Sequence, residues 1–189
     1  MTAEELAALY YDAIVLCLAG GIAQKICGRA SAPGFYRLQT RQQKVAAHES
    51  GHLVCAAVLK WPVAEGSIVP CADAGTDGHT ILASSELTAV GAAAHAEQVK
   101  RSTTGPAPSD REQVIRLCWD LSGLTDDGRP RWKRSLALKR SCTQYATALV
   151  ERNLPYVRQI AGELERKRTI GPAELEAIRP RLRRPGDPE

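Results

Sequence analysis

Three residues in the stretch KVAAHESGHLVCAAVL, at 44–59, have types and spacing suited to holding a metal ion: His48, Glu49 and His52, in the pattern His-Glu-x-x-His. On a helix, residues four apart share a face and lie about 6 Å apart along the axis, so the two imidazoles can converge on one ion. Glu49 sits beside the pair and can take a proton from a water at the metal, which is what hydrolysis of a peptide bond by zinc requires. The same letters also arise on helices whose histidines are simply packed and whose carboxylate is simply solvated. The elements around them therefore decide what the motif means.

The motif needs a helix with firm ends. Thr40 and Gln43 form a capping box at its start, and Trp61 before Pro62 is pushed out of the helical region, so the helix runs from about Arg41 to Lys60. Its predicted inner face is Val45, His48, His52, Cys55 and Leu59. Upstream, Leu6, Leu9, Tyr10, Ala13, Ile14, Cys17 and Leu18 recur at three- and four-residue steps and predict a helix over 3–27, interrupted or tightened at Gly20 and Gly21. A loop rich in Gly, Pro and Ser follows at 28–39.

Downstream, GSIVP at 66–70 and HTILA at 79–83 read as short strands joined by the turn-rich CADAGTDG. An alanine-rich helix is expected at 86–101 and a loop at 102–109, ending in a second capping box, Ser109 with Glu112. The amphipathic helix it opens closes at Gly123 and a turn at Asp126, Asp127 and Gly128; further helices follow at 132–152, 155–167 and from Pro172.

Length and composition bound the rest. The 189 residues predict one domain over 1–178, with a basic, proline-rich tail at 179–189 that is expected to be disordered. Low aromatic content, 5%, points to Ala/Leu/Val-rich helical packing. The net charge of +4 gathers late, at ERKR 165–168 and RPRLRR 179–184, and without interleaved aromatics this predicts a solvated surface and no nucleic-acid site. Six scattered cysteines, with no CxxC pair, read as reduced core residues of a cytoplasmic protein, not as zinc ligands. The apolar run AIVLCLAGGIA at 13–23 is too short to cross a bilayer and follows Glu4, Glu5 and Asp12, so it reads as a buried helix, with no membrane role. No GxxxxGK[ST] loop is present, so any action on polypeptides would lack nucleotide-driven unfolding of its own.

HESGHLV, followed by GSIVP and then GTDGHT, resembles the FtsH-like zinc peptidase family, whose metal helix carries HEAGH, with Ser50 here in place of the alanine. The glycine of that motif, Gly51, suits close packing of another backbone against the helix. STTGPAPSDREQVIRL resembles the family's Thr-Thr-Gly segment, which leads to an Asp that supplies the third zinc ligand; the matching position is Asp110. ALVERNLPYVRQIAGELERKRTIGPAELEAI is similar to its closing helices. Together the matches cover most of residues 40–178. In the chain order there is one departure. YYDAIVLCLAGGIAQKICG resembles the family's Leu-x-Gly-Gly helix, yet it precedes the HExxH motif instead of following it, so either the helix returns to the same place in space or it is an added element.

The resemblance implies a mainly α (α+β) fold with a small sheet beside the HExxH helix, and one Zn²⁺ on His48, His52 and Asp110. Glu49 would be the general base of a metalloendopeptidase acting on flexible or unfolded polypeptides. Asp110 is also what a helix's first turn favours without any metal, and Asp120, Glu97, His79 and His95 are the other candidates for third ligand. His79 reads as a turn or surface histidine that could reach substrate, and His95 as structural. The expected partners are the polypeptide and, for unfolding power, a separate ATPase or further copies of this chain. The rival of a different class is a silent zinc-binding regulatory or interaction module of the same fold, against which the presence of Glu49 counts.

Overall fold

The computed structural model describes residues 2–28, 40–70, 78–82, 109–123 and 131–188. In chain order these form α1 (Ala3–Gly28), α2 (Arg41–Leu59), β1 (Val63–Ser67), β2 (His79–Leu82), α3 (Asp110–Ser122), α4 (Trp132–Arg152), α5 (Leu154–Lys167), β3 (Thr169–Ile170) and α6 (Pro172–Ile178), with a 3₁₀ turn at Arg179–Arg181. The architecture is the expected one, mainly helical with a small antiparallel sheet. Cys71, His95, Glu97, the helix expected at 86–101, the loops at 28–39 and 102–109 except their end residues, and the turn at 126–128 lie outside the described residues.

The capping box read from the sequence starts α2 as expected: the Thr40 hydroxyl accepts the Gln43 N–H, and the Gln43 side chain accepts the Thr40 N–H. Lys60, in the left-handed conformation, ends the helix ahead of Trp61-Pro62. Burial departs from the expectation of a single inner face: from Ala46 to Leu59 every residue but His48 is buried. α2 is a central helix, and Ala, Gly, Ser and Cys around its circumference let neighbours approach from several sides. α1 packs along it so closely that a Cβ on Gly51 would lie 2.6 Å from the Ala19 carbonyl oxygen and from the Ala23 Cβ. The sheet packs on another side, where a Cβ on Gly66 would meet the Leu53 side chain at 2.5 Å.

Gly20 and Gly21 do not interrupt α1, which is continuous from Ala3 to Gly28. The whole helix, not the run at 13–23, sets its reach: Glu4–Gly28 spans 25 residues and contains an 18-residue stretch of mean hydropathy 1.8, long and apolar enough to cross a membrane by length and composition. In this structure one side of it, Ile14, Val15, Leu16, Ala19, Ala23 and Cys27, belongs to the core.

The sheet order is β2-β1-β3, with both pairings antiparallel. β1 begins and ends three residues earlier than the apolar run at 66–70 suggests, because its bounds are set by pairing: Ser67 faces His79, Gly66 faces Thr80 and Glu65 faces Ile81, with an irregularity between Val63 and Glu65. β3, two residues against Gly66 and Ser67, is too short to carry an alternation signal and was not foreseen.

The tail also differs from its expected disorder. Leu182 is buried, and the Asn153 amide holds the backbone next to it: Nδ2 donates to the Leu149 and Arg183 carbonyls at 2.8 and 2.7 Å, and Oδ1 accepts the Arg183 N–H at 2.9 Å. Arg184 Nε donates to the Val58 carbonyl at 3.4 Å, placing a cation at the C-terminal end of α2. Composition registered the prolines and arginines of this segment but not one leucine with a core site and one buried amide that satisfies its backbone.

The five described cysteines, Cys17, Cys27, Cys55, Cys118 and Cys142, are free thiols. Burial pushes the Cys17 and Cys142 thiols up to about 12. Replacing Asn153 with Ala removes both side-chain bonds to the Arg183 backbone and one of the two to the Leu149 carbonyl, and urea unfolding should show a loss of about 2 kcal/mol.

Candidate metal centre

Three side chains from two helices meet at one point. His48 and His52 project from successive turns of α2, with rings in edge contact, centroids 4.8 Å apart and planes at 76°. Asp110 is the first residue of α3, placed by the second capping box: the Ser109 hydroxyl accepts the Glu112 N–H, and the Glu112 carboxylate accepts the Ser109 N–H. Capping and ligation are therefore compatible, since Ser109 caps the helix and leaves the Asp110 carboxylate to turn inward. His48 Nε2, His52 Nε2 and Asp110 Oδ2 form a triangle with sides of 2.8, 3.1 and 3.2 Å. Two imidazole nitrogens and a carboxylate oxygen facing one another can hold a metal ion.

The site is graded in depth. The His52 side chain is 9% exposed, whereas those of His48 and Asp110 are 28% and 34% exposed, so the triangle has a protein floor and a mouth open to solvent. At the floor, His52 Nδ1 lies 2.8 Å from the Leu16 carbonyl of α1. A carbonyl only accepts, so Nδ1 carries the proton and the lone pair of a neutral ring stands at Nε2, toward the other two ligand atoms.

The charges reinforce the grouping. Burial opposes a charged His52, but hydrogen bonding to Asp110, the Asp110 and Glu49 charges and the Leu16 carbonyl outweigh it and raise its pKa. Burial likewise opposes the Asp110 carboxylate, and the hydrogen bonds and charges of His48 and His52 hold its pKa well below the usual range. The carboxylate therefore stays ionised, ready to bind a cation.

Glu49, the candidate base, is buried, and its Oε2 accepts a hydrogen bond of 2.9 Å from the Thr80 hydroxyl on β2. β2 comes this close because Gly78 has no side chain: a Cβ there would lie 2.8 Å from the Ser67 carbonyl oxygen and 3.1 Å from Glu49 Cγ. His79 lies outside the triangle, 3.3 Å from Glu65 Oε1 on the neighbouring strand. Asp120 is exposed near the far end of α3, about 15 Å along the axis from Asp110 at the helical rise. Among the described candidates for third ligand, Asp110 alone joins the two histidines.

Sequence reading did not find the Leu16 carbonyl, Thr80 or Gly20, where an added Cβ would lie 2.4 Å from His52 Nε2. A backbone acceptor leaves no trace in residue identity. Gly20 was visible as half of a glycine pair, and Thr80 as the threonine two residues after Gly78, but neither pattern names a partner.

Because the pKa of His52 is raised, its proton competes with a metal at a higher pH than that of a free imidazole. Metal affinity should be full above that raised pKa and fall as pH drops through it, measured by competition with a chromogenic chelator at stepped pH. Asp110→Ala should weaken binding at least about tenfold in the same assay; unchanged affinity would mean another third ligand. Compared with models of known protein families, with curated proteins and with solved structures, the chain matches none.

Proposed function

We propose that this chain is a zinc-dependent metallopeptidase of the HExxH type, resembling the FtsH-like peptidases, that hydrolyses flexible or unfolded polypeptides. The observation that carries the reading is the triangle of His48, His52 and Asp110 with the carboxylate of Glu49 next to it in the chain. Two imidazoles and one carboxylate are a donor set suited to zinc, and three protein ligands with an open mouth leave a position for water or substrate. Bound there, zinc would supply Lewis acidity toward the scissile carbonyl and toward the attacking water.

The chain's own residues do the remaining work. Thr80 occupies one oxygen of Glu49 and fixes the plane of the carboxylate, which leaves the other oxygen to accept the water's proton and hand it to the leaving amine. His52, held from behind by α1, keeps its direction as charge develops in front of it. β2 is an edge strand among the described residues, and it carries both Thr80 and the exposed Ile81. An extended peptide can hydrogen-bond along that edge and present its backbone beside Glu49. A folded protein has few such segments to offer, so unfolding power would come from a separate ATPase or a larger assembly. A cytoplasmic setting agrees with the free thiols of the five described cysteines, four of which are buried.

Replacing Glu49 with Gln should leave one zinc per chain by elemental analysis and lower cleavage of a permanently unfolded protein by about 10³-fold. Metal-free wild-type protein, or a variant that cleaves as fast as wild type, would overturn the reading. Wild type that binds zinc but cleaves no unfolded polypeptide would instead establish the silent module of the same fold.

A further inference from the structure

We infer that α1 is part of the metal centre: its Leu16 carbonyl sets the tautomer of His52, the bare backbone of Gly20 makes room for the ring, and metal affinity and the docking of α1 are therefore linked. The inference rests on the metal-binding reading above.

Leu16 and Gly20 are one helical turn apart. Cβ atoms on a helix lean toward its N-terminus, so a side chain at position 20 would extend over the turn that carries the Leu16 carbonyl. His52 takes that space. A Cβ on Gly20 would lie 2.4 Å from His52 Nε2 and 2.8 Å from both Cδ2 and Cε1, whereas a Cβ on Gly21 would meet nothing within 4 Å. The two neighbouring glycines thus separate two explanations. A flexible or loosely packed helix would use both alike; a helix that seats a ligand imidazole needs only Gly20.

The ring seated there has its Nδ1 proton committed to Leu16 at 2.8 Å. Its Nε2 therefore points at His48 Nε2 and Asp110 Oδ2, 3.1 and 3.2 Å away. α1 also reaches the second ligand-bearing helix: the Cys17 thiol donates to Gln113 Oε1 on α3 at 3.6 Å, one turn beyond Asp110. The contact of Gly51 with Ala19 and Ala23 completes the seam with α2. One helix thus braces both elements that carry the three ligands. Linkage then requires reciprocity: a metal that favours the braced geometry stabilises α1 docking, and loosening α1 weakens the metal.

The test uses the full chain, stripped of metal and titrated with cobalt(II), whose d–d absorption reports the ligand set. Gly20→Ala should lose affinity about tenfold or more, the range expected when a ligand's support is disturbed, while Gly21→Ala stays within about twofold of wild type. Hydrogen exchange should show the α1 amides slowing on cobalt addition in wild type and Gly21→Ala, and much less in Gly20→Ala. Equal affinity in all three proteins, equal loss in both variants, or α1 exchange indifferent to the metal would overturn the inference. If Gly20→Ala does not fold, combining it with His52→Ala should restore folding to the level of His52→Ala alone, because the three atoms nearest the added methyl all belong to that ring; failure of the rescue also overturns it. Absence of cobalt uptake by wild type would sink the metal-binding reading itself, a result distinct from uptake that the glycine variants leave unchanged.

Discussion

A buried imidazole has two nitrogens to satisfy and no water to do it with, and the arrangement around His52 follows from that constraint. Nδ1 is given to the Leu16 carbonyl, which is within reach only because α1 approaches α2 almost backbone to backbone. That approach needs Gly20 under the ring and Gly51 against Ala19 and Ala23. It also explains why α2 has no solvent-facing stripe beyond Ala46: a helix that offers a ligand toward α1, a carboxylate toward the sheet and apolar residues elsewhere is enclosed except where His48 faces the mouth of the site. Burial of α2 and orientation of its ligand are one packing event.

The other side of the site is built on the same economy of volume. Glu49 lies about 60° around the helix from His52 at 100° per residue, and there the neighbour is the sheet instead of α1. Gly78 lets β2 close on the carboxylate, and Thr80 takes one of its oxygens. The two shells of support come from segments far apart in the chain, residues 16–20 and 78–80, and they meet across a single helix. The helix resembling a Leu-x-Gly-Gly element precedes the HExxH motif, yet it lies against both α2 and α3 and bears on the ligand itself.

Local chemistry was legible where it depends on neighbours in sequence. Both capping boxes and the end of α2 before Trp61-Pro62 follow from side chains within a few residues of the backbone they satisfy. Legibility failed where a boundary depends on a distant partner. β1 is defined by its register with His79–Leu82, not by its apolar run, and β3 exists only because Gly66 and Ser67 lie beside it. The tail folds because Leu182 finds a core site and Asn153 satisfies the chain next to it, neither of which composition registers.

The sequence by itself determined the pair of histidines at helical spacing with a carboxylate beside them, and the helix to carry them, because those relations are fixed by 3.6 residues per turn. Residue chemistry narrowed the third ligand to a handful, among which the family resemblance pointed to Asp110, but a separation of 58 positions between His52 and Asp110 implies no distance. Only the tertiary structure decided that Asp110 joins them, that Thr80 holds Glu49 and that a backbone carbonyl of α1 orients His52. Each of these is a contact between remote segments, set by how closely two helices and a strand can approach, and that closeness is a property of glycines and small side chains seen only when their neighbours are in place.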